Sequence, residues 1–316
     1  MKSTVSVIIP VFNKADWIEE TLISVANQSF QDWECIIIDD GSTDESLKVI
    51  EAFIRKTPGV WRVIRQKNQG QCVARNKGIE ESSGEYVAFL DGDDCWAENK
   101  LEVQVNILDK NPRAALVICP YRIYKEGEGK GRFVCHGDSK SMLRNWINLR
   151  GFGAGTESTG LVRKKFLLSI GGFDRKLSTS AGLDLTLRLS HCGEILNAKN
   201  TFMKYRIHTG QWHSNLEILE ADLSLLRQKI PRTESLRGGN LSKKHRAYLL
   251  LHKLRQGFSL PKLLGSSSDI RLDYYLSILV LCIIRRNLVG KARATFPVLL
   301  TRIPKKLYGD LFSQAI

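Results

Sequence analysis

The sequence predicts an α/β fold in which a mostly parallel β-sheet is covered by helices on both faces. Three observations support this prediction. Short apolar runs alternate with segments of helical spacing over residues 5–119, which is typical of βαβ units. The runs are almost continuously apolar, as expected of strands buried on both faces. Three of them end in polar clusters, and parallel strands bring their carboxyl ends to one edge.

Each element follows from its local pattern. The predicted strands are Val5–Val11, Cys35–Ile38, Val60–Ile64, Tyr86–Leu90, Ala114–Cys119, Ser158–Val162 and Ile195–Ile207. The predicted helices have apolar residues at helical spacing and are residues 16–28, 43–55, 71–82, 99–109, 164–170 and 183–191. Gly84 and Pro112 end two of them. Residues 121–139 predict an irregular loop or hairpin, and four helices are predicted over 216–228, 241–256, 272–288 and 292–303.

Polar clusters follow three of the predicted strands directly. Phe12 and Asn13 follow the first strand, Asp39 and Asp40 follow the second, and "DGDD" at residues 91–94 follows the fourth. Taken alone, the acidic cluster is equally typical of a surface turn. Because the three clusters are predicted to share one edge, we favour a functional site there, in which a cation balances the close carboxylates.

Charge divides the chain into two parts. Residues 227–316 hold 18 Lys and Arg against 4 Asp and Glu, which accounts for the whole net charge of +14. The remainder is neutral. We therefore predict a boundary near 215–230, with one domain over 1–215 and a basic helical region over 216–316.

The composition also indicates the cellular compartment of the protein. The seven cysteines contain no C-x-x-C pair, which argues against a zinc site or disulfide scaffold and indicates a reducing cytosol. The N-terminal apolar run is too short for a signal peptide. Tyr274–Ile284 is apolar over eleven residues, short of the ~20 needed to span a bilayer. We expect a cytoplasmic protein.

The basic region leaves two interpretations of equal weight. Its Lys- and Arg-rich helices suit the anionic inner face of a membrane. They equally suit a helical bundle that packs on the first domain with a solvated basic face. A nucleic-acid partner is not expected, because no DNA- or RNA-binding motif accompanies the charge.

Three stretches together carry a family resemblance. "VSVIIPVFNKADWIEETLISVANQSFQDWECIIIDDGSTDES", "NQGQCVARNKGIEESSGEYVAFLDGDD" and, more loosely, "GGFDRKLSTSAGLDLTLRLSHCGEI" occur in that order. The chain resembles a family 2 glycosyltransferase with the GT-A fold, densely over residues 4–110 and loosely to about 208. The resemblance implies an inverting transfer from a nucleotide-diphospho-sugar, with a UDP-sugar favoured, and Mn²⁺ or Mg²⁺ as cofactor.

The resemblance assigns roles to particular residues. The donor side takes the nucleotide through Pro10, Val11, Phe12, Asp39, Asp40, Arg75, Asp91 and Gly92. Asp91 and Asp93 match the metal motif, with Asp94 as a supporting acid. His208 resembles a tail residue that can approach the metal or diphosphate. Its other interpretation is structural. The acceptor is expected to be a lipid-linked or cell-surface polysaccharide, with Trp212 and His213 lining its side.

The chain departs from the family at the general base. The family places a carboxylate two residues before a second Asp, but here that position is Gly182, and Asp184 follows. Asp184 is our candidate base, although its position two residues on in a helix, about 200° round the axis, requires non-helical backbone. Asp184 also suits a structural role at a helix start. Glu157 and Asp174 are the alternative bases. The remaining interpretations are a donor-binding protein without transfer activity and a membrane-tethering or scaffold protein.

Overall fold

The computed structural model describes residues 3–125, 133–134 and 156–208, with six single residues between 218 and 229. The strands are β1 Val5–Val11, β2 Trp33–Asp39, β3 Val60–Arg65, β4 Tyr86–Phe89, β5 Cys95–Trp96, β6 Ala114–Ile118, β7 Tyr121–Lys125, β8 Phe133–Val134, β9 Gly160–Arg163, β10 Glu194–Asn197 and β11 Met203–Ile207. The helices are α1 Ile18–Ala26, α2 Ser46–Ile54, α3 Gln71–Glu81, α4 Lys100–Lys110, α5 Thr156–Thr159, α6 Lys164–Ser169 and α7 Ala181–Ser190.

The main sheet has seven strands in the order β10-β6-β9-β4-β1-β2-β3. All neighbouring pairs are parallel except those of β9, which is antiparallel to both β4 and β6. All seven residues of β2 are buried, as continuous apolar strands in a covered parallel sheet should be. The predicted α/β class with a mostly parallel sheet is confirmed.

The sheet order places the three polar clusters side by side. β1 lies between β4 and β2 and is parallel to both. Their carboxyl ends therefore lie at one edge, and the segments that follow them are neighbours. The predicted convergence of the clusters at one edge is confirmed.

A second sheet of four strands, in the order β5-β11-β7-β8, was only partly predicted. The run predicted as one strand over 195–207 divides into β10, in the main sheet, and β11, in the second sheet. A turn at Lys199–Asn200 separates them. β5 has two residues, too few for a periodic pattern. The strand predicted at Ser158 starts at Gly160, because residues 156–159 form the turn of α5.

Lys100 is a fully buried cation in the core of this domain. Its Nζ donates to Gln104 Oε1 at 2.7 Å and to the Gly160 carbonyl at 3.4 Å. It also lies 4.0 Å from the centroid of the Trp96 ring. Burial lowers its pKa to about 8, since desolvation disfavours the charged form.

We expect this lysine to make stability rise at alkaline pH. Between about pH 8 and about pH 10.5 the unfolded chain keeps a proton that the folded chain has lost, so the unfolding free energy increases with pH. The difference from the ordinary pKa corresponds to about 3 kcal/mol. Urea unfolding of the parent and of Lys100→Met across this window isolates the effect, because other groups cancel. Parallel pH curves for the two proteins would contradict it.

Most of the predicted basic region, including the apolar run 274–284, lies outside the described residues. The six described residues between 218 and 229 are helical. Asp222, in this group, accepts hydrogen bonds from the backbone N–H groups of Ser178 and Ser180. Within the described part of the chain, no helix is long and apolar enough to cross a membrane. The boundary at 215/216 stays a prediction.

Candidate active site

The loop after β1 is hydrogen bonded to the loop after β2. Asn13 has a positive φ of 53°, which directs its side chain across the edge. Its Oδ1 accepts from the backbone N–H of Thr43 at 2.8 Å, and its own N–H donates to Ser42 Oγ at 3.1 Å. Val11 is buried, whereas the Phe12 ring is 44% exposed at the edge. Phe12 is thus available to a ligand rather than packed in the core.

The two aspartates after β2 have different surroundings. Asp40 accepts from Gln66 Nε2 at 2.7 Å and from the backbone N–H groups of Gln69 and Gly70 at 2.9 and 2.8 Å. Asp39 Oδ1 accepts from the Ser42 N–H at 3.1 Å. Its buried Oδ2 has no hydrogen bond and lies 3.5 Å from Arg65 Nε. Asp40 thus holds the loop before α3, while Asp39 retains an unused acceptor.

Arg75 connects α3 to the acidic turn. Its side chain is 1% exposed, and Nη2 donates to Asp91 Oδ1 at 2.6 Å. Its Nη1 lies 3.6 Å from Glu157 Oε1. The guanidinium also stacks over the Phe173 ring at 5.2 Å. Burial opposes the charge, but Asp91 and Glu157 outweigh it and raise the pKa of Arg75, so it is a fixed cation.

One carboxylate oxygen of Asp93 contacts both a lysine ammonium and a histidine ring. Its Oδ2 lies 2.5 Å from Lys14 Nζ and 3.0 Å from His208 Nε2. The His208 ring stacks on Trp17 with centroids 3.9 Å apart. Burial alone would raise the pKa of Asp93, but the His208 hydrogen bond and the Lys14 charge outweigh it and lower the pKa to about 2. Asp93 is therefore an anion at neutral pH.

The third acid of the turn, Asp94, has different surroundings from Asp93. Asp94 is buried, and its Oδ1 accepts from the Arg206 N–H at 3.3 Å. Burial, followed by the charges of Asp93 and Asp91, raises its pKa well above the usual range. Gly92 brings the turn close to Lys14, since a Cβ there would lie 3.3 Å from Lys14 Cγ. The acidic turn is thus flanked by the cationic side chains of Lys14 and Arg75.

Glu157, on α5, reaches the same cluster from the other side. Its side chain is 14% exposed and near Arg75. Ser158, the next residue, accepts from the Asp91 N–H at 3.1 Å. The Glu157 carboxylate also accepts a hydrogen bond from the backbone N–H of Gly182 at the start of α7. Burial, partly offset by Arg75, raises the pKa of Glu157.

The structure does not bring Asp184 or Asp174 into this cluster. Asp184 is 3% exposed, and its Oδ2 binds Arg188 Nη2 at 2.6 Å while Oδ1 binds Lys229 Nζ at 2.8 Å. Lys229 also pairs with Asp174 at 2.5 Å. The helix α7 includes both Gly182 and Asp184, so the non-helical backbone that a catalytic Asp184 required is not what the structure shows.

The residues at the turn fit a divalent cation that also takes ligands from a substrate. Asp91, Asp93 and His208 offer carboxylate oxygens and an imidazole nitrogen, and Lys14 shows that Asp93 already attracts a cation. No group of three or more His, Cys, Asp or Glu side chains with metal-binding geometry occurs in the described ranges. Mn²⁺ and Mg²⁺ commonly take one or two carboxylates and complete their coordination with phosphate oxygens and water, which agrees with this set.

Sequence reasoning missed Lys14 and Trp17. Lys14 lies 79 residues from Asp93, and its only signal was its place just after the first polar cluster. Glu157 was named only as an alternative. Trp212 and His213 lie outside the described residues.

In a mostly parallel α/β sheet, a charged carboxyl edge of this kind is the expected position of a ligand-binding site. A family model described as glycosyl transferase family 2 matches residues 6–164, half of the chain. The chain belongs to glycosyl transferase family 2, as its resemblance implied.

Curated relatives match about a third of the chain. A putative teichuronic acid biosynthesis glycosyltransferase, TuaG of Bacillus subtilis, is 44% identical over 107 residues, which are 34% of this chain and 42% of that protein. A cholesterol galactosyltransferase of Borreliella burgdorferi is 42% identical over 105 residues, 33% of this chain and 29% of that protein. The matches thus span less than half the length of these relatives.

Solved structures share the fold over most of the chain. The mannosyltransferase PcManGT from Pyrobaculum calidifontis, in complex with GDP-Man and Mn²⁺, has a TM-score of 0.59 and 17% identity, with 90% of this chain and 87% of that chain covered. S. aureus TarS 1–349 in complex with UDP-GlcNAc has a TM-score of 0.57 and 20% identity, with 87% and 79% covered. At these identities the likeness confirms the GT-A fold.

Proposed function

We propose that this protein is an inverting, metal-assisted glycosyltransferase that moves a sugar from a nucleotide-diphospho-sugar to an acceptor hydroxyl. The observation that carries the proposal is the balanced acidic turn, in which Asp93 holds Lys14 and His208 at the carboxyl edge of β4. Membership of family 2 and the nucleotide-sugar complexes of the similar structures support it.

The nucleotide is assigned to the edge formed by the loops after β1 and β2. Phe12 offers an exposed ring beside Pro10 and Val11, and Asp39 offers an unused buried acceptor, which would be satisfied by an N–H of the base. Asp40 supports the same pocket by holding the loop that leads into α3. We favour a UDP-sugar, although GDP is bound by one similar structure.

The diphosphate is assigned to the acidic turn. Asp91, Asp93 and His208 would hold Mn²⁺ or Mg²⁺, which supplies charge neutralisation for the leaving diphosphate. Arg75 fixes the orientation of Asp91, because it is buried and cannot rotate away. Gly92 lets the Lys14 stem approach the turn, so that the ammonium can move from Asp93 to a phosphate oxygen when the donor binds.

The acceptor is assigned to a lipid-linked or cell-surface polysaccharide. TuaG is named for teichuronic acid biosynthesis and the Borreliella relative for a lipid acceptor, which supports a glycan or lipid hydroxyl. The basic C-terminal region favours a cytoplasmic protein held at the inner membrane face. Pelleting with anionic and with neutral vesicles tests this association.

The proposal is tested by calorimetry with UDP, GDP, dTDP and CDP, each with Mn²⁺ and with EDTA. We expect one nucleotide to bind at least about tenfold more tightly with Mn²⁺, because Asp93 would hold a cation that neutralises charge on the diphosphate. Asp93→Ala is expected to bind that nucleotide with the affinity that the parent shows in EDTA. Glu80→Ala, which removes an exposed carboxylate on α3, should behave as the parent.

The outcomes separate the proposal from its rivals. Metal-dependent binding followed by turnover of the matching nucleotide-sugar supports an enzyme. Tight binding without turnover on water or on a membrane lipid extract favours a donor-binding protein, the alternative that Gly182 raises. Absence of any nucleotide binding would contradict the assignment of the acidic turn.

A further inference from the structure

We propose that Glu157 is the general base of the transfer reaction, delivered from α5 into the space that the side chain of residue 182 would occupy. This inference rests on the proposed function. It concerns the position where the family carries a carboxylate on α7 and this chain carries glycine.

The main evidence is the distance between Gly182 and the Glu157 carboxylate. A Cβ built on Gly182 would lie 2.1 Å from Glu157 Oε2, 2.3 Å from Cδ and 2.4 Å from Oε1. The carboxylate of Glu157 therefore coincides with the first atom of the side chain that Gly182 lacks. Any other residue at 182 would displace it.

The glycine is otherwise hard to explain. Gly182 lies inside the first turn of α7, where glycine costs about 1 kcal/mol relative to alanine. Its backbone φ is not in the left-handed region, so no special conformation requires it. Space for the Glu157 carboxylate is a sufficient reason for glycine at this position.

Contacts of Glu157 place it beside the diphosphate side of the cluster. Arg75 lies between the two carboxylates, 2.6 Å from Asp91 and 3.6 Å from Glu157. Ser158 bonds to the backbone of the acidic turn. The Glu157 side chain is 14% exposed, so it is shielded from most of the bulk water, as a base that works beside a bound acceptor requires.

The acceptor hydroxyl gives its proton to a Glu157 carboxylate oxygen while its oxygen forms a bond to the anomeric carbon. The bond between that carbon and the diphosphate oxygen breaks, and the electron pair leaves with the nucleoside diphosphate. The raised pKa of Glu157 suits a base that works near neutral pH.

A structural role for Glu157 predicts different results. The carboxylate could serve only to accept the Gly182 N–H at the start of α7 and to fix Arg75. Glutamine keeps an acceptor oxygen for that N–H but cannot take the proton, so Glu157→Gln separates the two roles. We expect its kcat to fall by about 10²–10⁴-fold, with the affinity for nucleotide and the melting temperature unchanged.

Relocating the carboxylate provides the second test. Glu157→Ala/Gly182→Asp restores an acid on α7, whereas Glu157→Ala/Gly182→Ala fills the same space without one. Turnover of the donor selected by calorimetry is measured with water and with membrane lipid extract as acceptors. We expect the aspartate variant to exceed the alanine variant by at least about tenfold and to show a rise of kcat with pH through a single carboxyl ionisation.

The results separate this inference from the proposed function. Three results would overturn the assignment of Glu157 without affecting the proposed transferase function. They are a parent-like kcat in Glu157→Gln, a loss of kcat matched by a loss of nucleotide binding, and equal activity of the two double variants. If the parent protein binds nucleotide but turns over no donor, there is no transfer reaction for a base to assist, and both the proposed function and the role of Glu157 are overturned.

Discussion

Substitution of Arg75 by methionine is expected to lower the free energy of unfolding by about 3 kcal/mol and to reduce donor turnover by at least about a hundredfold. Arg75 is 1% exposed and lies between two carboxylates. Removing one partner of a buried ion pair leaves the others uncompensated. Methionine retains an apolar side chain against Phe173, so the expected loss comes mainly from charge.

A matched substitution isolates the effect of burial. Arg62 also contacts two carboxylates, Glu34 and Glu81, but its side chain is 40% exposed. We expect Arg62→Met to cost less than about 1 kcal/mol and to leave turnover unchanged. Chemical unfolding and donor turnover are measured on both variants. Equal losses for the two would show that Arg75 has no special place in the site.

The charged edge was predictable because its parts are local in the sequence. Apolar runs followed at once by Asp39-Asp40 and by Asp91–Asp94 identify strand ends, and the parallel sheet brings strand ends together. The helix pattern likewise gave α3 and α4 within a residue or two of their ends. These features can be predicted from the spacing and composition of nearby residues alone.

The balancing cations and the candidate base were not predictable in the same way. Lys14 has the sequence character of an exposed loop residue, and only the folded chain places it on Asp93. The contact between Glu157 and Gly182 joins α5 to α7, whose relative position no periodicity encodes. The absence of a side chain at 182 was visible in the sequence, but what fills that space was not.

The remaining differences have a common cause. β5 has two residues, and residues 195–207 are uniformly strand-like although β10 and β11 belong to separate sheets. A periodic pattern reports how a segment is buried, not which sheet it joins. Asp184 was placed by motif spacing alone, and its pairing with Arg188 and Lys229 depends on tertiary contacts.

Gly182→Ala in the parent chain is expected to lower donor turnover by about a hundredfold or more while lowering the free energy of unfolding by at most about 2 kcal/mol. The new Cβ would meet the Glu157 carboxylate at 2.1 Å. The carboxylate is the end of a flexible side chain and can rotate aside, but it then loses the Gly182 N–H and its place beside Arg75. Alanine favours the helix by about 1 kcal/mol, which offsets part of that loss, so activity should fall far more than stability.

Gly78→Ala is the matched control, because it makes the same change in another buried helix. Its Cβ would lie 2.3 Å from Cγ2 of Ile8, in the core beneath α3. A packed apolar side chain cannot rotate into solvent, so we expect a loss of about 1–3 kcal/mol. Thermal unfolding and donor turnover are measured on both variants. Full turnover in Gly182→Ala would mean that Glu157 need not occupy this space, whereas a stable but inactive protein would show that glycine at 182 serves the reaction rather than the fold.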